Sequence, residues 1–397
     1  MQAYDEGGNQ GRIAALTNRG VQVWGADRNY IAPDVPLDQI EPGAVLVQSM
    51  LTGAATRIGR GSRIGESGPA RVHDCQIGRH CTVGAGTYDG ATFLDKVSIR
   101  GYAEVRPGTL LEEQVEAAHS VAFKNTILTA TCVTGSLLNY CDLFMSGGTS
   151  REDHSEVGSG VIHFNFDPRG DKWGSLMGDV RGVLLRSAPV FVGGQSGIVG
   201  PAHIDFGAVV AAGSIIRRDV PADCVHFDAA KAQTVKGFDR EVYQGLRRKF
   251  LSTARLIGNL WALAAWYRAV RLPYADDYQK SLYEAAEEQP RRHIRERVKR
   301  LEKIIDKLDR SLAKSNAYEN EHRRLIERRR ELREALLGSV AGDVPDNFVR
   351  EYAQAREKMS HVEAVRAVSE EAAGAAAQWL LGIAAGPVDS LGRIFGE

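Results

Sequence analysis

A chain of 397 residues that is 43% hydrophobic and 25% charged has the composition of an ordinary globular protein, long enough for two or three domains. Fifty Lys and Arg balance fifty Asp and Glu, so no basic field points to nucleic acid. Five cysteines, an odd number with no Cys-x-x-Cys pair, argue against a disulfide framework and a zinc ribbon and suit reduced thiols in the cytoplasm. Met1 to Asn29 lacks the apolar core of a signal peptide. The stretch nearest to a membrane span, Leu256 to Val270, is interrupted by Asn259 and Arg268.

Residues 1–38 read as a lead-in. From 39 to 235 the chain is rich in glycine and proline, and apolar or small residues return at every sixth position. The series are Ile40, Leu46, Thr52, Ile58, Ile64 and Ala70, then Ile77 and Val83, then Ile99, Val105, Leu111, Ala117 and Phe123, and later Val192, Ile198, Ile204, Val210 and Ile216. A period of six fits neither a helix nor an alternating strand. It fits a solenoid with three flat faces per turn, one inward residue per face, and tight corners where Gly, Asn or Asp adopts positive φ. The pattern resembles the hexapeptide-repeat family of left-handed parallel β-helices. That resemblance implies about 18 residues per turn, roughly ten turns, and side-by-side packing as a homotrimer. Each turn would bury its own inward row, so the solenoid is expected to fold without the chain that follows. The period breaks at 130–160, where Thr149 to His154 reads as an ejected loop, either functional or a plain surface insertion.

From 236 to 397 Glu, Arg, Ala and Leu take over. Val242, Leu246, Phe250, Ile257, Leu260, Trp261 and Ala264 predict an amphipathic helix over 240–270, ending near Pro273. Its Trp261 and Trp266 are expected to pack on the solenoid in preference to a membrane. After Pro290, Ile294, Val298, Leu301, Ile305, Leu308 and Leu312 alternate four and three apart, the seam of a coiled coil over 294–312. A turn at Ser315-Asn316-Ala317 and a helix over 318–337 would complete a hairpin, and another helix is predicted over 346–373. Arg328-Arg329-Arg330 reads as a solvated helix face. The tail 373–397 reads as a capping strap in preference to a peripheral membrane contact.

Three segments sharpen the resemblance: Gly101-Tyr102-Ala103-Glu104-Val105-Arg106-Pro107-Gly108, Val121-Ala122-Phe123-Lys124-Asn125, and Gly158-Ser159-Gly160-Val161-Ile162-His163-Phe164-Asn165-Phe166-Asp167. With the runs Val190 to Gly194 and Arg217 to Val220, they resemble the acetyltransferase half of the bacterial bifunctional N-acetylglucosamine-1-phosphate uridyltransferase family, over about residues 30–225. The resemblance implies acetyl transfer from acetyl-CoA to the amine of an amino-sugar phosphate or nucleotide sugar, without a metal. It implies that Arg106 and Lys124, one coil apart, hold the phosphate, and that Lys172 reaches it from a neighbouring subunit. It also implies that Asn165 contacts sugar and acyl donor, and that Gly194 and Ala212 flank the pantetheine arm. A guanidinium fork and an ammonium converging on a dianion is sound chemistry for the first pair.

The departures matter as much. Ser136 stands where the family's general-base histidine belongs, and a serine hydroxyl cannot take a proton from an amine near neutral pH. Loss of a positioned base costs about 10²–10⁴ in rate. Tyr140 is one residue out of step with a family tyrosine that would contact substrate, and Phe166 replaces a second. A base would have to come from His154 in the loop, from His119, or from His163, which sits on an inward step like a packed histidine. Nothing between Met1 and Ile40 supplies the glycine-rich loop of a nucleotidyltransferase, so pyrophosphorylase activity is not expected. Two readings stand: an acetyltransferase using these residues, or a catalytically inactive sugar-nucleotide-binding or scaffolding protein that recruits partners through its helical domain, possibly through the coiled coil.

Overall fold

A computed structural model describes residues 6–163, 169–227, 239–338 and 342–396. Gln22 to His226 wind into a parallel β-solenoid, and among the described residues one sheet runs through eleven rungs. Register partners along this first face lie 18 residues apart where the hexads are unbroken, as in Val45↔Arg63, Ser98↔Glu116 and Phe191↔Val209. The inward row is the one the period identifies: Ile40, Leu46, Ile58, Ile64, Ile99, Val105, Leu111, Ile198, Ile204 and Ile216 are all buried. Strands are mostly two to four residues long. Ladder bonds alone hold such short strands weakly, whereas each buried aliphatic contributes roughly 1.5–3 kcal/mol. Pairing starts at Gln22, ahead of the expected position 39, and helix α1 (Glu6–Asn18) closes this end with Ile13 and Leu16 in the lumen cluster. Cys75, Cys81 and Cys132 also lie in the lumen, where burial pushes each thiol up to about 12 and keeps it protonated.

The stretch 130–160 keeps the rungs going instead of leaving them. Strands Val133–Thr134, Leu138–Met145 and Glu156–Val157 pair in register, and only ten residues, 146–155, depart. That loop folds back onto the coil: Arg151 pairs with Glu116 at 2.8 Å and donates to the Gln114 and Thr131 carbonyls. The larger insertion comes one coil later, where 35 residues separate Glu156 from its partner Phe191.

The helical half consists of α2 (Leu246–Trp266), α3 (Asp277–Ile305), α4 (Leu308–Lys314), α5 (Glu319–Glu327), α6 (Arg329–Leu337), α7 (Asp346–Arg356), α8 (His361–Ala367) and α9 (Glu370–Phe395). It does not stand apart from the solenoid. On the third face the strands read as apolar doublets, Leu110-Leu111, Ile127-Leu128, Phe144-Met145 and Leu176-Met177. The second residue of each points into the lumen, while the first belongs to the cluster of the helices. A strand apolar on both sides is a strand buried on both sides. Helix α3 climbs this face, Tyr278 Oη donating to the Ile77 carbonyl, His293 Nε2 to the Gly108 carbonyl, and Arg297 pairing with Asp142. The two halves thus share a core along this face, which counts against the solenoid folding without the helices.

The seam of 294–312 is interrupted, α3 ending at Ile305 and α4 starting at Leu308, so one continuous coiled-coil helix does not form. Ile294, Val298, Leu301, Ile305 and Leu308 are buried in one cluster with Leu325, Leu332 and Leu336 of α5 and α6. The stripe offered to a partner by the scaffolding reading is thus occupied by the chain itself. The helix expected over 346–373 is cut where Ser360 and Ser369 cap α8 and α9, the first through a reciprocal box with Glu363. The tail is the strap expected: α9 lies on α2, and a side chain at Gly258 would strike the Ala384 carbonyl. Trp266 is fully buried and Trp261 donates to the Leu336 carbonyl, both within the protein. No described helix is long and apolar enough to cross a membrane.

Candidate functional site

Two columns of side chains run along the corners at either edge of the second face. At the corner leading to the third face, Val105 pairs with Phe123 and Lys124 with Cys141, so Arg106, Lys124 and Cys141 occupy successive rungs about 4.8 Å apart. The chain turns here through Asn125 and Asp142, both at positive φ. Asn125 Nδ2 donates to Asp142 Oδ1 at 3.0 Å, and Asp142 is buried against Arg297 of α3 at 2.5 Å. Lys172 arrives from the adjoining loop, its carbonyl accepting from Arg297 Nη1 at 3.3 Å. Burial and Asp142 raise the pKa of the Cys141 thiol, and Lys172, Arg106 and Lys124 oppose the rise. Among the described residues neither lysine pairs with a carboxylate, and Arg106 has only Glu104, at 3.7 Å. The corner is a cation column suited to a dianion.

The second column stands where the first face turns into the second. Leu138 pairs with Gly160, Gly160 with Ser196 and Gly197 with Ile215, which carries the register through Ser136, Gly158, Gly194 and Ala212. A side chain at Gly158 would lie 2.8 Å from Gly194, and one at Gly193 2.5 Å from the Ala212 nitrogen. The rungs therefore stack closely here, and the column at Gly158, Gly194 and Ala212 carries no bulky side chain. One rung before Ser136 is His119, exposed, with Nδ1 3.1 Å from Ser136 Oγ.

Sequence expectation and geometry part at several residues. Tyr140 points into the lumen, fully buried against Phe123, and cannot contact a substrate on the outer corner. His154 stands at the remaining corner, between the third face and the first, with Nδ1 on the Arg151 carbonyl at 2.7 Å and Nε2 3.8 Å from Glu156. It cannot serve either column as a base within this chain. His163 follows Cys141 in register and is clamped by Ser175, Nε2 to Oγ at 2.7 Å. Burial holds its pKa down to about 4, with Asp142 opposing, so it is neutral near pH 7. Asn165 and Phe166 lie outside the described residues. The sequence reading missed Asn125, Asp142 and Arg297. The legible signal was Arg297 itself, a charge three residues after Ile294 and one before Val298, on the apolar side of its helix.

Within one chain the columns are separated by the strand Leu138–Cys141. At about 3.3 Å per residue, Ser136 and Cys141 are roughly 15 Å apart. That exceeds the distance between the amine and phosphate of a single hexosamine phosphate.

No family model matches the chain. Curated relatives do, and they are bifunctional GlmU proteins. The protein of Trichlorobacter lovleyi is 31% identical over 208 residues, covering 51% of this chain and 40% of that protein. That of Nitrosospira multiformis is 29% identical over 171 residues, 43% of this chain and 30% of that protein. That of Streptococcus equi subspecies zooepidemicus is 26% identical over 223 residues, 56% and 44% respectively. The chain thus spans less than half the length of each. The resemblance read from the motifs is borne out, and the parallel solenoid agrees with the hexapeptide-repeat fold it implied.

Proposed function

We propose that this chain is an acyltransferase that moves an acetyl group from acetyl-CoA to the amine of an amino-sugar phosphate or nucleotide sugar, working as a side-by-side homotrimer. The observation that carries the reading is the cation column, Arg106, Lys124 and Lys172 gathered around Cys141. It is the arrangement needed by a phosphomonoester, whose oxygens take a guanidinium fork and two ammonium groups. The small-residue column at Gly158, Gly194 and Ala212 suits the thin pantetheine arm of acetyl-CoA, whose amides can meet backbone groups there.

The separation of the two columns supports a site shared between chains. A neighbour's small-residue column set against this chain's cation column would bring thioester and amine together. The third face is sealed by the chain's own helices, which leaves the first and second faces for such packing. Exposed apolar side chains stand there: Leu137, Val161, Phe191, Val209 and Val225.

In the transfer, the amine attacks the thioester carbonyl, its proton leaves to a base, and the CoA thiolate departs. Ser136 cannot be that base. His119 holds a basic nitrogen at the same corner and touches the Ser136 hydroxyl, so it takes the role of proton acceptor, directly or through that hydroxyl. The heptad seam is occupied by the chain's own α5 and α6, which counts against recruitment of a partner through that seam.

The test is product formation from acetyl-CoA and glucosamine 1-phosphate, followed by mass spectrometry. Turnover is expected, with kcat/KM lowered at least about 100-fold by Arg106→Ala combined with Lys124→Ala, since each charge-assisted bond is worth about 1.5–3 kcal/mol. No product from any amino-sugar phosphate or nucleotide sugar, or full activity in the double variant, would overturn the reading.

A further inference from the structure

The loop bearing Lys172 is held almost entirely by the helical half. Arg169 Nη1 donates to the Val242 carbonyl at 3.0 Å, and Lys307 Nζ pairs with Asp171 at 3.1 Å. Trp173 packs against Phe250 with ring centroids 6.2 Å apart, under Lys249 Nζ. Gly174 lies under Leu256, where a side chain would collide with that leucine. Between these holds, the Arg297 guanidinium forks. One arm grips the Lys172 carbonyl and the other grips Asp142, the residue after Cys141. The pairing of Leu143 with Ser175 then sets residues 172–173 beside the Cys141 rung. Contacts from α2, α3, the stretch before α2 and the residues after α3 converge on these six residues of loop and set the Lys172 backbone beside the Cys141 rung of the cation column.

We propose that this chain completes its anion site in cis: the helical half pins the loop 169–174 so that Lys172 joins Arg106 and Lys124 of its own chain, and a phosphomonoester dianion is held without a lysine from a neighbour. The proposal rests on the phosphate-binding reading above, and it reverses the delivery of that lysine implied by family resemblance. Arg297 is a positioning residue here. It is too deeply buried to touch the ligand, and it acts through the backbone of Lys172 and the carboxylate of Asp142. The acyl donor can still come from a neighbouring chain, because its small-residue column occupies the other corner.

Subunit complementation decides the point. Lys172→Ala and Arg106→Ala/Lys124→Ala chains carrying different affinity tags are co-expressed and purified through both tags, and binding of glucosamine 1-phosphate is measured by calorimetry. Assembly in cis predicts that mixed oligomers bind no better than either parent variant, since every chain lacks part of its own column. Recovery of wild-type-affinity sites in the mixture would place Lys172 in trans and overturn the proposal, while leaving the phosphate reading intact. Should the protein prove monomeric, wild-type binding by single chains supports the proposal directly. If the unaltered protein binds neither glucosamine 1-phosphate nor inorganic phosphate, the phosphate reading and the proposal fall together.

Arg297→Lys supplies a second test. A lysine keeps the ion pair with Asp142 but cannot fork to the Lys172 carbonyl. Phosphate affinity is expected to fall as far as in Lys172→Ala while the melting temperature stays near that of the parent. Unchanged affinity in a folded Arg297→Lys protein would overturn the positioning role.

Discussion

Replacing Arg271 by methionine tests how the two halves are joined. Its guanidinium is fully buried between α3 and the solenoid, paired with Glu113 and 3.7 Å from Glu112, while Tyr267 Oη donates to Glu112 at 2.5 Å. Burial raises Glu112 to about 7 even with the arginine present, Arg271 opposing and Glu113 adding to the rise. Without Arg271 two carboxyl groups remain in the dry interface with no counterion. Breaking a buried pair from one side costs about 3–5 kcal/mol. At roughly 2 °C per kcal/mol for a large domain, the melting temperature should fall by about 6–10 °C. Thermal unfolding followed by circular dichroism at about pH 8 and about pH 5.5 makes the cause visible. Glu112 titrates near its ordinary value once unfolded, so the folded variant binds more protons than the unfolded chain between that value and the raised one. Its deficit must therefore shrink as pH falls. Adding Glu113→Gln should recover part of the loss at the higher pH. A variant that melts within a degree of the parent at pH 8, or whose deficit grows on acidification, would refute the idea that a buried charge cluster binds the halves.

His293 predicts the opposite pH dependence. Burial holds it down to about 4 while its Nε2 donates to the Gly108 carbonyl, so the unfolded chain takes up the proton first. Stability is complete above about pH 6.5 and is lost as pH falls toward 4, by about 3 kcal/mol from this group. His293→Gln should make the acid limb of the stability profile shallower by that amount, and an identical limb would show the histidine to be uninvolved. At the small-residue column, His119→Gln should lower kcat by about 10²–10⁴ with little change in the KM for acetyl-CoA. Ser136→His in that background should restore much of the rate; a fully active His119→Gln enzyme would assign the proton to another group.

The repeat was legible because a hexad with one inward aliphatic is a local code: Ile58, Ile64 and Ile77 each answer only to the rung beside them. The stacked cations were legible for the same reason, since one coil of separation puts Arg106 and Lys124 on one column wherever the coil is regular. Tyr140 failed by this rule. It occupies the inward step one rung beyond Phe123, and the parity of the strand sends it into the lumen. His154 failed because a polar run with glycines looks alike whether it leaves the coil or folds back onto it, and the Arg151 contacts that hold it lie 20 and 37 residues away in sequence.

By itself, then, the sequence determined the solenoid, the positions of its inward row, the stacking of Arg106 on Lys124, and the existence of a helical half, all set by short-range periodicity and steric limits at corners. Tertiary structure alone decided that the third face is a shared core, that the heptad seam closes within the chain, and that Lys172 stands beside its own cation column. Those outcomes depend on which helix lies against which rung. Arg271 meets Glu113, and Arg297 meets Asp142, across more than 150 residues of chain. No local pattern records such a meeting; the charges can be buried only because the fold brings each to its counterion.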